Sequence, residues 1–210
     1  MPAPDIDVVV FDIGGVLVAS PLTEFGRLDA EYGLIPGTAM GLFRGGGLFE
    51  PCETGRMPFS TFCEHAVEQI RAEQGISVPA ARFAAMMAAI MGDQVEPVIH
   101  ALVLQLKAAG FRIGLCSNIY SDLDGWIRSM FPPGTVDVHC LSYEVGLRKP
   151  DAAIYAALIE RCACPAENIV FIDDFVENVA GAGDAGLLAI RFTDAAALRE
   201  SLAELRIVPA

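Results

Sequence analysis

The sequence predicts an α/β protein built on a parallel β-sheet that helices cover on both faces. Short apolar runs rich in β-branched residues recur along the chain and are bounded by turn residues. The later runs alternate with segments of helical periodicity. Strands that alternate with helices favour parallel pairing and a sheet covered on both sides. With 210 residues, the chain can bury a full core in one compact domain and has room for a small insert.

The individual elements follow from these runs and from the residues that bound them. The predicted strands are residues 6 to 11, 111 to 116, 136 to 141, 169 to 172 and 187 to 192. Helices are predicted over residues 97 to 109, 150 to 163 and 176 to 185. Pro150 opens the second of these helices, and Gly110 and Gly186 follow the ends of the other two. Proline at the start of a helix and glycine past its end are the usual arrangement.

Roughly a hundred residues separate the first two strands, far more than one crossover helix needs. This segment predicts four helices, over residues 21 to 32, 36 to 44, 59 to 74 and 79 to 91, and no strand. In the third helix, Thr61 and Glu64 have the spacing of a capping box. We therefore expect a small all-helical cap, residues 20 to 92, over the strand ends. The α/β core is then residues 1 to 19 and 93 to 210.

Composition restricts the classes of partner. The net charge is −13, from 27 acidic and 14 basic residues, which argues against nucleic acid or an anionic membrane as partner. No apolar run approaches the roughly 18 residues of a membrane span, and no signal peptide is visible at the start. The six cysteines include no Cys-x-x-Cys pair and predict reduced thiols rather than zinc. We expect a cytoplasmic protein, either a monomer or a homodimer.

Polar side chains follow three of the predicted strands. Asp12 follows the first strand, Ser117 the second, and Asp173 and Asp174 the fourth. The carboxyl ends of parallel strands meet at one edge, where open α/β sheets bind ligands. Three converging carboxylates repel one another unless a hard cation lies among them, and Mg²⁺ suits such a site. We expect Asp12, Asp174 and the backbone carbonyl of Gly14 as direct ligands and Asp173 as a direct or water-mediated one.

The same edge has the groups needed for phosphoryl transfer. An ionised Asp12 can attack phosphorus and form an acyl phosphate, which divides one difficult hydrolysis into two displacements. Lys149 can neutralise charge on the phosphoryl group and on Asp12 during transfer. Ser117 and Asn118 are candidate phosphate-binding residues through a hydroxyl and backbone N–H groups. Taken singly, each of these residues is also explained by an ordinary turn, helix cap or surface position.

Four segments together closely resemble the four motifs of the haloacid dehalogenase (HAD) superfamily. They are FDIGGVL at 11 to 17, LCSN at 115 to 118, GLRKPDAAIY at 146 to 155 and FIDDFVEN at 171 to 178. They look most like a group with the phosphatase domain of soluble epoxide hydrolase, a domain fused to an acyl-CoA dehydrogenase, and bacterial sugar-1-phosphate phosphatases. The resemblance implies a Rossmann-like, doubly wound core with an inserted helical cap. It also implies a phospho-aspartyl mechanism on Asp12, with Lys149 in catalysis and Asn178 supporting the acidic pair.

Gly14 departs from the pattern of most phosphatases in this superfamily, which have a proton-donating aspartate there. General acid–base catalysis contributes about 10²- to 10⁴-fold, so we expect simple alkyl phosphates to be poor substrates. Hemiacetal, aryl or acyl phosphates have better leaving groups and depend less on the acid. Two alternatives stay open: a metal-independent 2-haloacid dehalogenase, and a catalytically weak phosphate-binding or regulatory module.

Substrate choice is expected to lie in the cap. Its candidates to face the site are Arg44, Glu50, Glu53 and His65, and each is also explained as a solvated helix residue.

Overall fold

The computed structural model describes residues 5–19, 22–43, 47–91 and 95–208. Its centre is a five-stranded, fully parallel sheet in the order β3-β2-β1-β4-β5. The strands are β1 (Val8–Phe11), β2 (Arg112–Ser117), β3 (Val138–Leu141), β4 (Ile169–Asp173) and β5 (Leu188–Arg191). Each coincides with a predicted strand to within a few residues, and the α/β fold class is confirmed.

Helices and short connecting loops make up the rest of the described chain. In order, they are α1 (Leu22–Tyr32), α2 (Thr38–Phe43), α3 (Glu50–Glu53), α4 (Phe59–Gln74), α5 (Ala80–Met91), α6 (Pro97–Ala108), α7 (Asp124–Ser129), α8 (Ser142–Val145), α9 (Ala152–Cys162), α10 (Val176–Asp184) and α11 (Ala195–Glu204). Helices α1 to α5 stand between β1 and α6, where the insert was predicted. Within the described residues, no helix has both the length and the apolar character that a membrane crossing requires.

The side chains of β1 alternate between two apolar cores, one on each face of the sheet. Val9 and Phe11 belong to one core, and Val8 and Val10 belong to the other. Helices α6 and α11 cover the first face, and α9 and α10 cover the second. Because both faces are buried, the strand reads as a continuous apolar run rather than an alternating one.

The inserted helices have an aromatic core that continues into the first face of the sheet. Its contacting rings include Phe25, Phe43, Phe49, Phe59, Phe62 and Phe83. Tyr120 follows β2 and stacks on Phe59, with ring centroids 4.1 Å apart. It also contacts the edge of Phe49 at 6.1 Å. The insert therefore packs directly beside the end of β2, close to the polar residues that follow it.

The structure corrects one prediction and extends another. Helix α4 begins at Phe59, after Pro58, with no side-chain cap, so Thr61 and Glu64 lie within the helix and form no capping box. The short helix α3 was not predicted, because four residues are too few for a detectable period. The division into cap and core at residues 20 and 92 stays a prediction.

Candidate active site

The sheet topology brings the ends of β1 and β4 together. These strands are neighbours at the point where the strand order reverses, the place where ligands bind in open α/β sheets. Phe11 is paired with Ile172, so Asp12, which follows β1, and Asp173, the last residue of β4, lie at the same level of the sheet. The backbone N–H of Asp12 donates to the carbonyl of Ile172 at 2.9 Å. The two acids are therefore fixed by the sheet itself.

Lys149 joins these acids. Its side chain is 1% exposed, and its Nζ donates to Oδ2 of Asp173 at 2.6 Å and to the carbonyl of Cys116 at 2.9 Å. Oδ1 of Asp12 lies 2.9 Å from the same Nζ. An ammonium group has three donors, so these partners account for all of them. A buried cation thus bridges the two carboxylates.

The end of β2 fixes the main chain of Lys149. The side-chain amide of Asn118 donates to the carbonyl of Lys149 at 2.9 Å and accepts from its N–H at 2.8 Å. Ser117 is also buried at this end of β2, and its side chain lowers the pKa of the Asp12 carboxyl. The side chain of Asn118 is thus occupied in holding the main chain of Lys149.

Asp173 has both carboxylate oxygens in use. Oδ1 accepts from the N–H of Phe175 at 2.9 Å, just before α10 begins. The amide of Asn178 donates to Oδ1 and Oδ2 at 3.0 and 3.1 Å. The carbonyl of Asn178 in turn accepts from the buried hydroxyl of Tyr155 at 2.8 Å. Asp173 therefore has two functions, since it supports the start of a helix and holds Lys149.

Burial sets the ionisation of these groups. It raises the pKa of Asp12 to about 7; Lys149 opposes this shift, and the charge of Asp173 adds to it. Burial lowers the pKa of Lys149, but the charges of Asp12 and Asp173 raise it by more, so it stays above its ordinary value. The lysine is therefore a permanent cation, while the carboxyl of Asp12 is near the balance between its two forms at pH 7.

The donor set fits a divalent cation. One carboxylate oxygen from each of Asp12, Asp173 and Asp174 lies within 4.8 Å of the other two. Three carboxylates against one lysine leave an excess of negative charge, which a hard oxygen-seeking ion such as Mg²⁺ offsets. The backbone is also shaped around Asp174. A Cβ on Gly15 would lie 2.3 Å from Oδ2 of Asp174, and φ at Gly15 is +82°, so any other residue there would strain the backbone and displace Asp174.

The structure thus brings together all the side chains proposed for the site: Asp12, Ser117, Asn118, Lys149, Asp173, Asp174 and Asn178. Space does not enforce glycine at position 14, since no described atom lies within 4 Å of where its Cβ would stand.

The residues of the insert that were candidates to face the site differ in exposure. His65 is exposed, Glu50 is half-buried, and Arg44 lies outside the described residues. Glu53 is only 6% exposed, so its interpretation as a solvated helix residue is wrong. It lies near Arg148. The sequence did not identify Arg148 as a candidate, although this residue belongs to the motif at 146 to 155.

Comparisons with known proteins identify the family. The family model described as haloacid dehalogenase-like hydrolase matches residues 6–186. The chain is therefore a hydrolase by class, and it belongs to the haloacid dehalogenase-like hydrolase family, as the motifs predicted.

Two curated relatives align with most of the chain. The sesquiterpene phosphatase astK of Aspergillus oryzae is 26% identical over 199 residues, which are 93% of this chain and 94% of that protein. Acyl-CoA dehydrogenase family member 10 of Mus musculus is 25% identical over 186 residues. These are 87% of this chain but only 17% of the mouse protein.

Solved structures share the fold. A HAD-like hydrolase from Porphyromonas gingivalis has a TM-score of 0.70 at 21% identity, covering 96% of this chain and 98% of its own. A HAD enzyme from Bacteroides thetaiotaomicron, in complex with magnesium and inorganic phosphate, has a TM-score of 0.66 at 22% identity. The match covers 90% of this chain and 94% of that enzyme. An L-2-haloacid dehalogenase from Xanthobacter autotrophicus has a TM-score of 0.64 at 20% identity. The match covers 97% of this chain and 85% of the dehalogenase.

Proposed function

We propose that this protein is a Mg²⁺-dependent phosphatase that hydrolyses a small phosphate ester through a phospho-aspartyl intermediate on Asp12. One observation carries the proposal: a buried lysine bridges Asp12 and Asp173 while three carboxylates converge within 4.8 Å. This combination offers a nucleophile, a fixed cation and a set of metal ligands in one place. The phosphatase from Aspergillus oryzae, which matches the chain over nearly its whole length, supports the same reaction class.

The nucleophilic oxygen is assigned from the hydrogen bonds of Asp12. Oδ1 is held by the N–H of Ile13 at 2.7 Å and lies 2.9 Å from Nζ of Lys149. These contacts fix the carboxylate plane, and we assign attack on phosphorus to Oδ2. In the first step, the bond from Oδ2 to phosphorus forms while the ester P–O bond breaks. The leaving oxygen takes up a proton from water. A water molecule then attacks phosphorus and gives up its proton to solvent as the bond from Oδ2 to phosphorus breaks, which releases inorganic phosphate and restores the Asp12 carboxylate.

The other residues stabilise the transferring group. Lys149 is a permanent cation beside Asp12, so it offsets negative charge that develops on the phosphoryl oxygens. The hydroxyl of Ser117 and the N–H of Asn118 are the phosphate donors in this proposal. Asn118 also holds the main chain of Lys149, so its side chain positions the cation.

The direct ligands of Mg²⁺ would be Asp12, Asp174 and the backbone carbonyl of Gly14. Asp173 would not contact the ion in this arrangement, because its carboxylate binds Lys149 and Asn178. When bound, the ion supplies Lewis-acid stabilisation of the phosphoryl oxygens. Burial raises the pKa of Asp12 to about 7. Added positive charge nearby lowers this pKa and so increases the fraction of Asp12 in its ionised, nucleophilic form.

Gly14 shapes the substrate preference. The position has no proton donor in its side chain, so ester oxygens that leave readily are favoured over alkoxides. We therefore place acyl, aryl and hemiacetal phosphates ahead of simple alkyl phosphates.

The test is phosphate release from a panel of esters with Mg²⁺ and with EDTA. The panel includes p-nitrophenyl phosphate, acetyl phosphate, a sugar 1-phosphate, glycerol 3-phosphate and a sesquiterpenyl phosphate. We expect Mg²⁺-dependent release that the variant Asp12→Asn lacks. Chloride release from 2-chloropropionate without metal would instead indicate a dehalogenase, and no reaction with any compound would indicate a binding module.

Gly14→Asp tests the leaving-group argument. A Cβ at position 14 would meet no described atom within 4 Å, and a restored acid should raise turnover of glycerol 3-phosphate by about 10²-fold or more. Turnover of p-nitrophenyl phosphate should change much less. Equal gains on both esters would contradict the explanation.

A further inference from the structure

Glu53 is a buried acid that the proposed mechanism does not use. It ends α3, and its side chain is 8% exposed. Oε2 of Glu53 lies 3.1 Å from Nη2 of Arg148, which immediately precedes Lys149. The same oxygen is buried and has no hydrogen-bond partner among the described residues. Its contact with Arg148 is therefore an ion pair without hydrogen-bond geometry, between the insert and the loop that carries Lys149.

The backbone around Glu53 is anchored at the same place. The hydroxyl of Ser142, which is fully buried, donates to the carbonyl of Glu53 at 2.7 Å. The hydroxyl also accepts from the N–H of Ile119 at 2.8 Å, two residues after Ser117. Gly55 approaches the core so closely that a Cβ on it would lie 2.6 Å from the carbonyl of Tyr143. Helix α3 is thus held against the carboxyl ends of β2 and β3.

The charge on Glu53 does not serve stability. Burial raises the pKa of Glu53 to about 7, although Arg148 and Lys149 lower it, and Glu50 and Asp12 add to the rise. The ionised carboxylate therefore costs folding free energy at neutral pH, since the surroundings favour the neutral form. A buried ion pair is weak evidence for stability but can fix one arrangement among several.

We propose that Glu53 is a positioning residue, whose ion pair with Arg148 ties helix α3 of the insert to the loop that carries Lys149. The pair fixes the insert beside the phosphoryl site. This proposal rests on the proposed function for its kinetic readout, but its structural readout does not need activity.

Glu50 provides a matched control. It is on the same helix, and its Oε2 lies 4.0 Å from Nη1 of the same arginine. However, its side chain is 37% exposed, and it pairs with Arg56 at 2.8 Å. Removing its charge leaves the contact between Glu53 and Arg148 in place. Glu50→Gln should therefore behave as the wild type does.

The kinetic test compares Glu53→Gln with Glu50→Gln at pH 8. Glu53→Gln should lower kcat/KM by on the order of 10²-fold, equally for p-nitrophenyl phosphate and glycerol 3-phosphate, without lowering Tm. Glu53→Asp keeps the charge and should recover part of the loss. A loss confined to glycerol 3-phosphate would overturn the proposal and make Glu53 a proton donor. A lower Tm with unchanged kcat/KM would overturn it in favour of a purely structural residue.

Amide hydrogen exchange tests the same coupling without substrate. Glu53→Gln should speed exchange both in residues 49–55 and in residues 146–151, whereas Glu50→Gln should change neither. Unaltered exchange in residues 146–151 would overturn the proposal. If the wild type hydrolyses no ester, the proposed function fails, and this measurement still decides whether the ion pair couples the insert to the Lys149 loop.

Discussion

Replacing Gly15 by alanine tests how the backbone makes room for Asp174. Gly15 has φ of +82°, and a Cβ there would lie 2.3 Å from Oδ2 of Asp174 and 2.6 Å from its Cγ. The neighbouring Gly14 has no such constraint, since no described atom lies within 4 Å of its Cβ position and its φ is not positive. The two variants add the same methyl group at adjacent positions, so their difference isolates the contact with Asp174.

The structure sets the size of the effect. Left-handed backbone costs a non-glycine residue about 1–2 kcal/mol. For a chain of this length, each kcal/mol lowers Tm by about 2–4 °C, so Gly15→Ala should lower Tm by about 2–8 °C. The carboxylate of Asp174 must also retreat by roughly 1 Å to restore ordinary contact with carbon.

That retreat should weaken metal binding. We expect the Mg²⁺ concentration for half-maximal phosphatase activity to rise by about 10- to 100-fold in Gly15→Ala, while Gly14→Ala stays near the wild type. Tm is measured in EDTA, which separates backbone strain from metal affinity, and Mg²⁺ is then titrated against turnover of p-nitrophenyl phosphate. If Gly15→Ala and Gly14→Ala shared the same Tm and the same Mg²⁺ dependence, the placement of Asp174 against Gly15 would be wrong.

Three further predictions concern the buried charges. Lys149→Met leaves Asp12 and Asp173 without their shared cation and should lower the free energy of unfolding in urea by about 3–5 kcal/mol at pH 8; a loss below about 1 kcal/mol would contradict the bridging role. Asn178→Ala removes both hydrogen bonds to Asp173 and should lower kcat by about 10-fold or more with little change in KM; steady-state kinetics check this, and a change in KM alone would argue against it. Because the folded-state pKa of Glu53 is about 7, above its ordinary value of 4.5, its favourable contribution is complete below pH ~4.5 and is lost as pH rises through about 7. Relative to Glu53→Gln, the wild type should therefore lose up to about 3 kcal/mol of unfolding free energy between pH 4.5 and pH 8 in urea titrations, whereas parallel curves would refute the buried, raised pKa.

The sequence by itself determined the sheet and the position of the acids along it. Strand β1 is recognisable because a strand buried on both faces is apolar at every position, and this local signal needs no tertiary contact. Asp12 and Asp173 follow as strand-end residues, and parallel pairing places them on one edge. The resemblance of the motifs to a known family identified Lys149 and Asn178 as further site residues. In the structure, both side chains donate hydrogen bonds to Asp173.

Only the tertiary structure decided how the insert meets the core. Glu53 belongs to a four-residue helix with no readable period, and nothing near it in sequence marks it as buried. Its burial depends on Arg148 and Ser142, which are about 90 residues away along the chain. The requirement for glycine at position 15 was also visible only in the structure. A glycine in a turn is common in sequences, and the close approach of Asp174 depends on the folded chain. Local patterns specify elements, but contacts between distant segments set burial, charge pairing and pKa, and these arise only when the chain is folded.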